Sequence, residues 1–153
     1  MNMFYPSAKV ILKYPHDNSR ILLIKRLING KYFYEPAGGK LEIDFTAKKA
    51  ENLEECAIRE AKEELGVTIK INNYVGSYYF FWSIDPNKCS SCAVFSADII
   101  EADPAFTMNA DECELETEPA WVTLEDLKNK KITFDQNHNN LETLIMGYVN
   151  TLL

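Results

Sequence analysis

The sequence predicts an α/β fold, a mixed β-sheet flanked by helices. Three observations lead there. Short runs of β-branched and aromatic residues recur along the chain, bounded by Gly, Pro, Asn and Asp. Between them lies a stretch of good helix formers, Leu53 to Leu65, with a start and a stop signal. Near the C-terminal end Leu141, Leu144, Ile145, Tyr148, Val149 and Leu152 recur at helical spacing.

The elements follow in order. Val10 to Leu12 and Ile21 to Ile24 are apolar runs separated by Pro15-His16-Asp17-Asn18-Ser19, which reads as two strands and a turn. Asn29-Gly30 marks a turn before a strand at Tyr32 to Tyr34. Glu35 to Gly39 then breaks regular structure. Asn52 caps the first helix, Glu55 completes a capping-box pair, and Gly66 supplies the left-handed stop. Val67 to Ile71, Tyr74 to Ile84 and Ser91 to Ile100 read as three strands, with Asp85-Pro86-Asn87 turning between the last two. Trp121 and Val122 form a short strand, and Thr123 with Asp126 starts a short capped helix. No repeat, low-complexity tract or linker divides residues 1–153, so one domain is expected.

The length suffices to bury a core, and 46% hydrophobic with 25% charged residues is ordinary for a soluble protein. A net charge of −7 argues against a broad grip on a nucleic-acid duplex. An acidic protein can still act on phosphates through a divalent cation. The segment Met1 to Pro6 lacks the regions of a signal peptide, and no apolar run approaches the roughly 18 residues of a membrane span. Cys56, Cys89, Cys92 and Cys113 are therefore expected as reduced thiols in the cytoplasm, with no membrane partner.

The chemistry gathers on the first helix. At about 100° per residue, Glu60, Glu63 and Glu64 share an arc of roughly 100°. Ala57, Ile58, Ala61 and Leu65 occupy the neighbouring, core-facing arc. The acids are poorly placed for helix stability: Glu60 and Glu64 repel at spacing four, by about 0.2–0.5 kcal/mol. Glu63 and Glu64 also stand at the negative end of the helix dipole. A hard cation, which takes oxygen ligands, would turn repulsion into coordination. The alternative is a solvated acidic face neutralised by Arg59 and Lys62. The upstream segment Pro36-Ala37-Gly38-Gly39-Lys40-Leu41-Glu42 favours the cation, because glycine lets backbone approach a metal or phosphate closely.

These residues resemble the Nudix box: Gly, five residues, Glu, seven residues, then Arg-Glu-apolar-x-Glu-Glu-x-Gly-apolar. Glu51 is followed by seven residues and then by Arg59-Glu60, Ala61, Glu63-Glu64, Gly66 and Val67. The first half departs from the pattern, with eleven residues between Gly39 and Glu51 where the family has five. The extra six fall within Ile43 to Ala50. Loop closure entropy grows slowly with length, so this segment is expected to bulge outward while Gly39 and Glu51 keep their places.

The resemblance implies a Nudix fold, an α/β/α sandwich with a central mixed β-sheet. It implies a MutT-like hydrolase acting on phosphorus-containing anhydrides, with Mg2+ (or Mn2+) held by Glu60, Glu63, Glu64 and the Gly39 carbonyl. One of these glutamates, or one on a later loop, would deprotonate the attacking water. Arg59 and Glu51 would form a structural ion pair. Glu118 matches a position where many family members place another ligand or base, although it also reads as an exposed loop acid among Glu112, Glu114 and Glu116.

The implied substrate is a small nucleotide. ADP-ribose hydrolases of the family often carry an extra N-terminal region and a proline sixteen residues after the box, where this chain has Ser83. The tyrosine signal of dinucleoside polyphosphate hydrolases is also missing. The layout is closer to nucleoside triphosphate pyrophosphohydrolases, with a nucleotide-binding or sensor module without turnover as the alternative. Arg26, Lys40 and Trp82 are candidate substrate contacts. Cys89-Ser90-Ser91-Cys92 reads as a plain strand-turn position, and His16 and His138 as isolated surface residues. A monomer or homodimer is expected.

Overall fold

In the computed structural model, which describes residues 1–107 and 117–153, strand β1 (Met3–Lys13) is the axis of the sheet. It runs parallel to β8 (Lys88–Ile99) along its whole length and antiparallel to β2 (Arg20–Ile28) and β4 (Ala37–Lys40). Beyond β8 stand β7 (Ile69–Phe81) and then β10 (His138–Asn139), both antiparallel to their neighbours. On the other side, β3 (Lys31–Glu35) and β9 (Thr117–Thr123) pair with β2. Among the described residues one parallel pair stands beside antiparallel ones, which makes the sheet mixed.

Helices cover both faces, because β1 and its neighbours alternate apolar side chains to each side. Helix α1 (Leu53–Leu65) packs Cys56, Ala57, Ala61 and Leu65 against Ala8, Val10, Leu12 and Phe95. On the opposite face, α2 (Leu124–Lys128) and α3 (Leu141–Thr151) pack Leu127, Leu141 and Ile145 against Ile11, Leu23 and Val94. The result is the expected α/β/α sandwich. No helix among the described residues is long and apolar enough to cross a membrane.

Four local expectations are corrected. Glu35 to Gly39 does not break regular structure: β4 begins at Ala37 because β1 offers it an antiparallel edge, with Gly38 opposite Lys9 and Gly39 opposite Ala8. Residues read as separate strands around Asn72-Asn73 are one strand, β7, which absorbs the interruption as register shifts at Ile71/Asn73 and Tyr74/Gly76 and ends at Phe81. Ile58 does not join the core but is 42% exposed; Cys56 takes the buried position instead. His138 is no surface residue, its side chain being only 10% exposed.

The inserted segment forms a hairpin of its own, β5 (Ile43–Asp44) with β6 (Lys49–Ala50). Asp44 Oδ1 accepts the backbone N–H groups of Thr46 and Ala47, each at 3.0 Å, and so organises the turn. Every residue from 43 to 50 is exposed. At the hairpin's base the Glu51 N–H donates to the Glu42 carbonyl, and the Glu42 N–H donates to Glu51 Oε1 at 2.9 Å. The extra residues leave Glu51 clasped beside the helix start.

Candidate active site

Helix α1 is fixed at both ends. Asn52 Oδ1 accepts the Glu55 N–H, Glu55 Oε1 accepts the Asn52 N–H, and Gly66 closes the helix at φ 74°. This sets the rotation of the helix about its axis. Cys56, Ala57 and Ala61 are small enough for the helix to lie close over β4 and β1.

That approach brings the acids onto a ledge formed by the two glycines of β4. Glu60 and Glu64 are only 8% and 7% exposed, while the Glu63 side chain is 42% exposed. Glu64 Oε2 accepts the Gly38 N–H at 2.9 Å. The Glu60 carboxylate rests on Gly39 so closely that a Cβ there would lie 2.6 Å from Oε1. Gly38 is needed for a different reason: its φ is 148°, and a Cβ would lie 2.1 Å from the Ala8 carbonyl oxygen.

Arg59 gathers the rest. Its Nε and Nη2 grip Glu51 in a two-pronged pair, at 3.0 and 2.6 Å. Nη1 donates to Glu60 Oε1 at 2.9 Å and to Glu63 Oε2 at 3.0 Å, and Nη2 also reaches the Lys40 carbonyl at 3.0 Å. The Arg59 guanidinium, donating to the Glu51 carboxylate, holds that carboxyl down at about 2 although partial burial opposes it. Cys56, buried beneath, donates toward the Gly39 and Lys40 carbonyls at 3.5 Å. Burial first, and Glu51 second, push its thiol up to about 12, so it packs rather than reacts.

A second charged group adjoins the ledge, of which the sequence pointed only to Arg26 as a candidate contact. Arg26 pairs with Glu35 and reaches Glu64 Oε1 at 3.6 Å. Lys9, buried, donates to the Gly38 carbonyl at 3.4 Å. Burial opposes the charge on Glu35, yet Arg26, Lys9 and His138 outweigh it and hold the carboxyl at about 2. Burial raises the Glu64 carboxyl, with Lys9, the Gly38 N–H and Arg26 acting against it. Lys9 had a sequence signal: it is the lone charge in the apolar run from Ala8 to Leu12. Glu35 and His138 had none.

The other sequence candidates lie apart from this core of contacts. Glu118 sits in β9, exposed, 3.5 Å from Lys25 across the strand pair. Trp82 follows β7, stacks on Tyr5 at 5.1 Å and donates from Nε1 to Ser90 Oγ. Lys40 lies over both rings, at 5.1 and 5.2 Å, and Lys88 lies over Trp82 at 5.0 Å. Cys89 and Cys92 are free thiols on β8, and His16 is exposed. Cys113 and the acids Glu112, Glu114 and Glu116 lie outside the described residues.

Among the described residues no three carboxylate, thiol or imidazole groups stand ready around one metal-sized point. Glu60 and Glu63 converge on Arg59 Nη1 instead. Glu60, Glu63, Glu64 and the Gly39 carbonyl would nonetheless offer oxygen ligands, the set a hard divalent cation takes. The closeness of Glu60 to Gly39 leaves no room for a side chain between carboxylate and ledge.

Comparison with known proteins agrees with this fold. Among solved structures, a NUDIX hydrolase from Nitrosomonas europaea is similar at a TM-score of 0.69 and 15% identity, over 97% of this chain and 90% of that one. A MutT protein from Methanosarcina mazei Go1 is similar at 0.63 and 20% identity, over 99% and 94%. A NUDIX-family hydrolase from Clostridium perfringens gives 0.62 and 20%, over 97% and 98%. At such identities these likenesses speak for the shared fold. No curated protein matches the sequence. The model of the NUDIX domain matches residues 3–142, nearly the whole chain, and the chain belongs to that family.

Proposed function

We propose that the protein is a Mg2+-dependent (or Mn2+-dependent) hydrolase that cleaves a diphosphate linkage in a small nucleotide. The reaction we assign is conversion of a nucleoside triphosphate to its monophosphate and pyrophosphate by water attack. The observation that carries this reading is the packing of Glu60 and Glu64 onto the Gly38–Gly39 ledge, with Glu63 beside them on Arg59. Burying two carboxylates on one helix face is costly; Arg59 offsets part of that at Glu60 and Arg26 part at Glu64, and a divalent cation would offset more.

In this reading Glu60, Glu63, Glu64 and the Gly39 carbonyl hold the cation. When bound, the cation neutralises phosphate oxygens and sharpens a water nucleophile. Arg59, anchored through Glu51, holds the Glu60 and Glu63 carboxylates along one side of the helix. One of Glu60, Glu63, Glu64 or Glu118 takes the proton of the attacking water. Arg26, 3.6 Å from Glu64, orients that carboxylate, and we assign Lys40 and the Trp82 ring as further substrate contacts. We assign it as a soluble, cytoplasmic enzyme acting as a monomer or homodimer.

The test is a panel of nucleoside triphosphates, ADP-ribose, dinucleoside polyphosphates and nucleotide sugars, assayed with Mg2+ and resolved by chromatography. Monophosphate and pyrophosphate from a triphosphate would support the reading. Tight nucleotide binding with no turnover of any compound would replace it with a binding or sensor module.

A further inference from the structure

Helix α1 covers only part of its side of the sheet. It buries Ala8, Val10 and Phe95, and β1, β8 and β7 run on beyond it. There the register sets two rows across the three strands: Phe4, Cys89 and Phe81, then Pro6, Ser91 and Tyr79. Residues paired across strands share a face, so each row points to the α1 side. Phe4 is 68% exposed, Phe81 48% and Tyr79 46%. Among the described residues no element covers them.

The two rows have a relief. β8 contributes only the small Cys89 and Ser91, both half-buried, and they form a furrow. Beside it Tyr79 and Phe81 form a ridge, their rings edge to face at 6.2 Å. Neighbouring strands stand about 4.8 Å apart, so ridge and furrow are offset by one strand. A two-fold axis over this face would seat the ridge of each copy in the furrow of the other. That is the self-complementarity a symmetric dimer requires.

Charge and area favour a second copy over another partner. None of the six side chains is charged, although the chain carries a net −7. A basic partner is drawn to acidic surface and gains nothing from this face. Two copies repel through most of their surface and meet most easily where no charge stands. The three aromatic rings together expose on the order of 300 Å2, against roughly 800 Å2 that each copy of a stable dimer buries. An apolar centre of that size needs a surrounding rim. The inserted β5–β6 hairpin begins at its edge, just past Leu41, whose N–H donates to the Pro6 carbonyl at 3.0 Å.

We propose that this face is the interface of a symmetric homodimer, with Tyr79 and Phe81 of each copy seated on Cys89 and Ser91 of the other. The proposal does not draw on the hydrolase reading, because none of these six residues belongs to the acidic ledge.

Sedimentation of the full chain from low to high micromolar concentration should show a monomer–dimer equilibrium. Added salt should preserve or strengthen the dimer, because it screens the repulsion between like-charged copies. Phe4→Lys and Tyr79→Lys, both at exposed positions, should keep a folded amide NMR spectrum and weaken the dimer roughly tenfold or more. Tyr32→Lys, at a residue equally exposed but on β3, should leave it unchanged. Alkylation of Cys89, followed by peptide mass spectrometry, should slow as wild-type concentration rises and keep one rate in Tyr79→Lys. A monomer at every concentration would overturn the proposal and leave the face to a different protein. A dimer that loosens in salt, survives both lysine variants or leaves Cys89 equally reactive throughout would overturn it too. None of these readouts uses turnover, so failure here is separate from failure of the hydrolase reading.

Discussion

His138 Nδ1 lies 3.6 Å from Glu35 Oε2, although β10 and β3 stand at opposite ends of the sheet's strand order. The sheet therefore curls until its two ends face each other, and the Tyr34 N–H donating to the Thr133 carbonyl ties the same ends together. The curl puts a charged, half-aromatic cavity next to the acidic helix. Fold and site are thus linked through one pair of side chains.

Acid should destabilise the protein in two stages. Burial lowers the His138 pKa below 6.5, so the imidazole is neutral when folded and the unfolded chain takes the proton first. Stability is lost as pH falls below about 6.5. Glu35 is held at about 2 against an ordinary 4.5, so its contribution is complete above 4.5 and lost between there and 2. Denaturant midpoints measured from pH 7.5 to 3 should fall across both windows, and His138→Phe should flatten only the upper one. A wild-type midpoint constant from pH 7 to 5 would refute the first stage.

Arg26→Met should destabilise the protein by about 3 kcal/mol at pH 7, because it leaves Glu35 charged and buried without its main partner. The variant should lose less on acidification below 4.5 than the wild type, since protonating Glu35 then relieves a burden. Parallel pH curves for the two proteins would contradict the assignment of Arg26 as the cause.

The two glycines of the ledge should separate fold from function. Gly38→Ala forces a Cβ into the Ala8 carbonyl at a backbone angle that side chains rarely adopt, and should cost more than about 2 kcal/mol of stability. Gly39→Ala instead pushes on the Glu60 carboxylate, the end of a side chain that can move. It should melt within a few degrees of wild type yet lose Mg2+-dependent turnover. Thermal melts and turnover assays on both variants check this, and equal effects of the two changes on stability would count against the ledge.

Removing residues 44–49 and joining Ile43 to Ala50 should change stability by less than about 1 kcal/mol, since every residue there is exposed. The clasp between Glu42 and Glu51 lies at the hairpin's base, outside the deletion. Urea unfolding of the shortened chain tests this. A collapse of stability would mean the hairpin carries part of the fold.

Much of this was readable beforehand because it rests on local rules. The caps of α1 at Asn52, Glu55 and Gly66, the phase of its acids, and the amphipathic α3 all follow from spacing alone. What escaped depends on distant partners. β4 looked like a break because glycine weakens a strand by itself, and only the edge of β1 makes it one. Glu35 and His138 are 103 positions apart in the numbering and meet only once the sheet has curled. Ile58, expected in the core, is exposed and Cys56 is buried, because α1 turns its smaller residues toward the glycine ledge. The insertion was visible as a gap in the motif, but its hairpin form depends on the Asp44 turn and the Glu42–Glu51 clasp.

The central claim is that the acids of α1 hold a catalytic cation, and Glu63→Gln tests it most directly. Glu63 is the most exposed of the three, so the change should leave the melting temperature within about 2 °C. Release of pyrophosphate from a nucleoside triphosphate with Mg2+ should fall roughly a thousandfold, about 4 kcal/mol of barrier. Unchanged release by a folded Glu63→Gln protein would contradict the account.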